Sequence, residues 1–114
     1  MIRIDCAPMS AEQTLLVFLT CPAEAAPGLA AALVEARVAA CVNQVPGLQS
    51  VYRWQGKVES AAETLLIAKT TRARYRDFEA EVRRRHPYEL PEILAVSAAC
   101  GLPDYLRWVE ESVR

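Results

Sequence analysis

Apolar and polar positions divide the chain into six core-facing elements and a terminal one. Thr14–Thr20 (TLLVFLT) is a continuous apolar run of strand length, predicting a central strand buried on both faces or nearly so. Glu24–Ala39 is alanine-rich and predicts a helix. Pro27 and Gly28 fall in its first turns, and Leu29, Leu33 and Ala36 form its buried stripe, with Ala30 and Val34 beside them. Cys41–Trp54 then runs as one extended arm. Beyond Gly47, Leu48, Ser50, Tyr52 and Trp54 alternate with Gln49, Val51 and Arg53, which is strand periodicity. Pro46-Gly47 predicts a bulge, a bend or an edge position, and Gln55-Gly56 a turn. The arm returns through Glu63–Thr70, whose TLLIAK segment reads as a second core strand. Thr71 is placed to cap a helix over 72–85, with Tyr75, Phe78 and Val82 facing inward. Pro87 stops it, His86–Glu92 is an extended linker, Ile93–Ala99 is a last core strand, and a short helix begins at Pro103 or Asp104.

The resulting order is β-α-β-β-α-β plus a helix. It predicts an α+β domain of the ferredoxin-like type, an antiparallel sheet with helices on one face. Residues 1–13 read as a frayed tail and 14–114 as one domain. The arm is longer than one small sheet needs, since strands ordinarily run about 5–6 residues. Unpaired edges of that length are templates for another chain, so oligomerisation is expected.

Composition narrows the partners. The net charge of −1 provides no basic field for nucleic acid. No apolar run is long enough to cross a membrane, and the N-terminus has no apolar signal region, so a soluble cytoplasmic protein is expected. The four cysteines, Cys6, Cys21, Cys41 and Cys100, form no CxxC and read as reduced thiols. No GxSxG, HExxH or P-loop is present, so no enzyme is expected.

Several stretches together resemble the CutA family of divalent-cation tolerance proteins. They are AACVN at 39–43, PG at 46–47, YRWQGK at 52–57, LLIAKT at 65–70, HPYELPEI at 86–93 and PDYLRW at 103–108. The resemblance spans roughly residues 14–110. It implies a ferredoxin-like subunit in a tight homotrimer, with long hairpins pairing across subunits and an architecture like that of the PII signalling proteins. The family name comes from a copper-tolerance phenotype, and no reaction is securely attached to it.

Candidate chemistry has a bland alternative at each position. Cys41 matches a cysteine of the family pattern, and a thiolate suits Cu(I); otherwise it is a small residue packing a helix–strand corner. His86, the sole histidine, is a metal ligand or a cap near the last helical carbonyls. Glu89 and Glu92 are its potential carboxylate partners. In a fully extended chain His86 and Glu92 would lie about 20 Å apart, so any site must draw on a bend, separate segments or neighbouring subunits. A copper ion is the expected metal. Tyr52, Trp54, Lys57, Lys69, Tyr88 and Trp108 either line an inter-subunit cleft for a small anion or fill the trimer interface. The competing functions are a metal-tolerance trimer, a PII-like signalling or scaffold trimer binding a small anion or a protein, and a thiol enzyme using Cys41 and His86.

Overall fold

The computed structural model describes residues 12–114; the expected tail, except for residues 12 and 13, and the reading of Cys6 as a reduced thiol lie outside them. Eight segments follow in order: β1 (Thr14–Cys21), α1 (Ala26–Glu35), β2 (Cys41–Trp54), β3 (Lys57–Thr71), a 3-10 turn (Arg72–Arg74), α2 (Tyr75–Arg85), β4 (Ile93–Ser97) and α3 (Pro103–Ser112). The strands form one antiparallel sheet in the order β2-β3-β1-β4. This is the ferredoxin-like arrangement, with a third helix added. Among the described residues no helix is long and apolar enough to cross a membrane.

One sheet face carries the core. Leu15, Val17, Leu19 and Cys21 of β1 join Leu66 and Ala68 of β3 against Leu29 and Leu33 of α1 and Phe78 and Val82 of α2. Strand alternation sends Leu16, Phe18, Leu65 and Ile67 to the opposite face. β4 adds Leu94 and Val96 to that face, opposite Phe18 and Leu16. There Leu94 is 61% and Val96 46% exposed. The first strand is therefore central but fully buried on one face only. The last strand is an edge strand of five residues, ending at Ser97 rather than Ala99.

Local boundaries differ from expectation for identifiable reasons. α1 stops at Glu35 because Arg37 takes φ +59°, and the amides of Val38 and Ala39 both turn back to the Leu33 carbonyl. Its Val34 is 40% exposed rather than part of the buried stripe. The Thr71 side chain caps nothing; the chain enters α2 through the 3-10 turn, with Arg74 in the N-cap position.

The arm is one hairpin. Gln55 (φ +50°) and Gly56 (φ +79°) close it as a two-residue turn of the primed kind. β1 pairs with β3 only from Thr64 onward, so Lys57–Glu63 pairs with β2 alone and the far half projects beyond the sheet. Register slips once: Val45 faces Leu65 and Leu48 faces Glu63, so Pro46 and Gly47 together oppose Thr64. Gly47 sits at φ +83°, which a side chain resists. This bulge changes the phase of the arm. Val45 and Leu48, three apart, point to the same side, so Leu48, Ser50, Tyr52 and Trp54 share a face with Leu65 and Ile67.

Candidate functional site

Two loci collect the candidate side chains. The first begins where α2 ends. The His86 amide closes the helix on the Val82 carbonyl at 2.7 Å, and the residue itself is extended. Its ring is buried, 7% exposed, between two backbone partners. The Tyr88 amide donates to Nδ1 at 3.0 Å, and Nε2 lies 2.8 Å from the Thr20 carbonyl. An accepting Nδ1 leaves the ring proton on Nε2, which donates to Thr20. Both nitrogens are thus committed to folding the 86–92 segment against the end of β1. This segment is not the free extended linker that its prolines suggested.

The same fold brings Tyr88 over β3. Its ring lies 4.8 Å from that of His86, and its hydroxyl donates to Glu63 Oε2 at 2.9 Å. Burial, then the bond and the charge of Glu63, push the Tyr88 phenol up to about 12. Glu63 is only 6% exposed. Together with Thr20 these groups form the floor of a cleft of about 860 Å³ between the arm and the 86–92 segment. Tyr52 and Trp54 come from the arm, Glu89 and Glu92 from the loop, and Arg53 is the single cation among the lining residues. Behind the floor, burial pushes the Cys21 thiol up, helped by the charges of Glu63 and Glu24.

The second locus lies at the other end of the sheet. Cys41 is a free, half-buried thiol whose Sγ is 3.5 Å from the Tyr105 hydroxyl of α3. That contact first, then burial, pushes Tyr105 up to about 12. Tyr105 packs on Trp108 with ring centroids 5.6 Å apart. Cys41 pairs with Lys69, whose Nζ bonds Asn43 Oδ1. Cys100 is disulfide-bonded, which corrects the expectation of reduced thiols at that position.

The expected site residues are therefore divided. Tyr52, Trp54, Tyr88, Glu89 and Glu92 meet at the cleft. Lys57 sits beside the hairpin turn opposite Trp54; Lys69, Trp108 and Cys41 are at the far locus. Cys41 (opposite Lys69) and the His86 partner Thr20 (opposite Leu65) are four residues apart along the sheet, about 13 Å. Among the described residues no three His, Cys, Asp or Glu side chains converge on a point that could hold a metal ion. Within one subunit, then, Cys41, His86, Glu89 and Glu92 do not form a copper centre, and the His86 nitrogens are otherwise engaged. Glu63 and Tyr105 were not anticipated. A charged residue flanking an apolar strand was the available sign for Glu63, but its partner is 25 residues away.

A family model described as CutA1 divalent ion tolerance protein matches residues 15–112. The divalent-cation tolerance protein CutA of Thermus thermophilus is 48% identical over 98 residues, covering 85% of this chain and 95% of the relative. The chloroplastic protein CutA of Arabidopsis thaliana is 41% identical; the match covers 89% of this chain and 56% of the plant protein. The crystal structure of CutA from Xylella fastidiosa superposes with a TM-score of 0.87 at 41% identity, covering 90% of this chain and 99% of that one.

Proposed function

Because the chain belongs to the CutA1 divalent ion tolerance family, we propose that it acts as a homotrimer that binds copper or similar ions and contributes to the response to them, without catalysing a reaction. The observation that carries this reading is the sheet face bearing Leu16, Phe18, Leu65, Ile67, Leu94 and Val96, over which α1 and α2 do not pack. Burying that face against other copies removes apolar area from water, at roughly 25 cal/mol per Å². The projecting hairpin supports the same assembly, because Lys57–Glu63 has one ladder edge open to a neighbouring strand.

Copper is assigned to the Cys41 thiol, a soft donor that Mg²⁺ and Ca²⁺ do not favour. One subunit does not bring a second and third donor to it, so the remaining ligands in this reading come from a neighbouring copy. His86 anchors the segment that walls the cleft rather than serving as a metal ligand. The test is a Cu(I) competition titration of reduced wild type, Cys41→Ser and His86→Ala, each first shown by light scattering to keep the wild-type mass. Weaker binding in Cys41→Ser alone is expected; equal affinity in all three removes Cys41.

A second reading, a PII-like signalling or scaffold trimer, draws support from the cleft. Its size lies within the range of small-molecule sites. Its lining, however, holds three carboxylates against one guanidinium and no lysine, which disfavours the anionic ligand expected from the sequence.

A further inference from the structure

Glu63 is buried without a cation in its own subunit, and the arm carries a lysine without an anion. We propose that Lys57 of a neighbouring copy enters the cleft and pairs with Glu63, so that the cleft is complete only in the assembly. This inference rests on the homotrimer reading above and adds to it the contact that sets where one copy's arm meets the next.

A carboxylate as deeply placed as Glu63 ordinarily has a charged partner. One of its oxygens accepts from the Tyr88 hydroxyl, while no cationic side chain pairs with it among the described residues. Register limits which cation can reach it. Strand alternation puts Lys57 and Glu63 on one side of β3, the side of Leu65, Ile67 and Lys69. Arg53, though a lining residue, pairs with Val58 and falls on the other side of the arm. Lys69 already bonds Asn43 Oδ1. The arginines of α2 belong to the helix layer across the sheet, and Arg107 and Arg114 pair with Asp104 and Glu110. Lys57 is exposed, on the Glu63 side, and in no ion pair among the described residues. Within one chain it is six residues from Glu63 on an extended strand, about 20 Å, beyond the reach of a lysine side chain. The pair therefore forms only between copies.

Charge and surface suit this occupant. Glu63, Glu89 and Glu92 outnumber Arg53 in the lining, so the cleft attracts a cation. Tyr52, Trp54 and Tyr88 are about 40% exposed there in a single subunit. That aromatic surface is covered by the four-carbon stem of the incoming lysine, whose ammonium reaches on to the carboxylate. The arm that delivers it projects beyond its own sheet, with one ladder edge of Lys57–Glu63 open to a neighbour. The receiving carboxylate is held in advance: Tyr88 fixes Glu63, the Tyr88 amide is fixed on His86 Nδ1, and His86 on Thr20. Apolar faces alone leave copies free to slide against one another. A buried charge pair gives them one register.

The experiment follows mass against concentration by light scattering, with circular dichroism to confirm the fold, for wild type, Lys57→Met, Glu63→Gln and the double variant. Lys57→Met, at an exposed position, leaves Glu63 buried without its cation. It should raise the concentration at which the assembly half-dissociates about tenfold or more. The double variant removes both charges and should recover most of that loss, because methionine keeps an apolar stem and glutamine keeps an acceptor for Tyr88. A mixing test reads the pairing between copies. Lys57→Glu sets two carboxylates against each other at every contact and should be monomeric where wild type is assembled. Mixed with Glu63→Gln chains it should enter mixed trimers, read by native mass spectrometry, because the introduced carboxylate then meets an amide. A trimeric wild type with an unaffected Lys57→Met overturns the pair and leaves the trimer reading standing. So do single losses that simply add in the double variant, or an absence of mixed trimers. A monomeric wild type overturns the trimer reading and the pair with it.

Discussion

His86 and Thr20, 66 residues apart, are joined by a 2.8 Å contact between a ring nitrogen and a backbone carbonyl. That contact, with the Tyr88 amide on the other nitrogen, converts the sole histidine from a candidate metal ligand into the peg that holds one wall of the cleft. Removing it leaves the buried Thr20 carbonyl and the part-buried Tyr88 amide without these partners. His86→Ala is expected to cost about 2–3 kcal/mol of stability, measured by urea unfolding, and to loosen the 86–92 segment in hydrogen exchange. A loss below about 0.5 kcal/mol would show that the ring is dispensable.

The Tyr88–Glu63 bond gives the protein an alkaline limit. The Tyr88 phenol is raised from near 10 to about 12 in the folded chain. A raised value means that its stabilising effect is complete below pH 10 and is lost as pH climbs toward 12. Tyr105 is raised to the same region and Tyr75 is raised as well, chiefly by burial, so three of the four tyrosines should ionise late in an absorbance titration. Tyr88→Phe should remove one late step and flatten the loss of stability over that window. An unchanged titration curve would contradict the assignment.

The sheet face away from α1 and α2 predicts the effect of charge on assembly. Leu94 is mostly exposed in a single subunit, so Leu94→Glu should scarcely affect the fold of the monomer. In a trimer it would bury a carboxylate. Light scattering should then report the monomer mass, with the circular dichroism of the wild type retained. Val51→Pro should also weaken assembly, through the arm, by removing a ladder donor. If both variants keep a trimeric mass and an unchanged melting temperature, the copies meet elsewhere.

Thiol reactivity separates the two cysteines that are free among the described residues. Cys21 is fully buried, and burial with the charges of Glu63 and Glu24 pushes its thiol up, so it should react with a maleimide only on unfolding. Cys41 is half-buried and should react in the native subunit unless assembly covers it. Mass mapping of labelled peptides distinguishes them; rapid native labelling of Cys21 would contradict the packing.

Much of the fold was legible because it rests on local signals. The Thr14–Thr20 run, the inward Phe78 and Val82, and the turn at Gln55-Gly56 follow from apolar period and backbone preference. The early end of α1 was hidden because Arg37 adopts a left-handed conformation that few would expect of arginine. The edge position of β4 was hidden because Leu94 and Val96 look like core residues until the sheet order is known. The candidate site was half legible. Tyr52, Trp54 and Tyr88 were expected to share a cleft, Glu89 and Glu92 were expected beside His86 as metal partners, and Cys41 and His86 were grouped though they lie at different ends. Glu63 was missed because its meaning comes from Tyr88 and not from its own neighbours.

The slip at Pro46-Gly47 has an arithmetical consequence for how this arm can vary. Leu48 faces Glu63, two residues from Leu65 on the unbroken β3, so the side that the distal arm presents is set by the residue count of β3 and the bulge absorbs a change in β2 alone. Deleting either bulge residue would leave one residue opposite Thr64 and restore regular pairing, with Tyr52 and Trp54 still on the Leu65 side. Lengthening both strands together by two between Leu65 and Glu63 keeps that side, while lengthening both by one exchanges it. Hairpins of this type are therefore free to change reach in even steps, while an odd step turns the aromatic surface inside out.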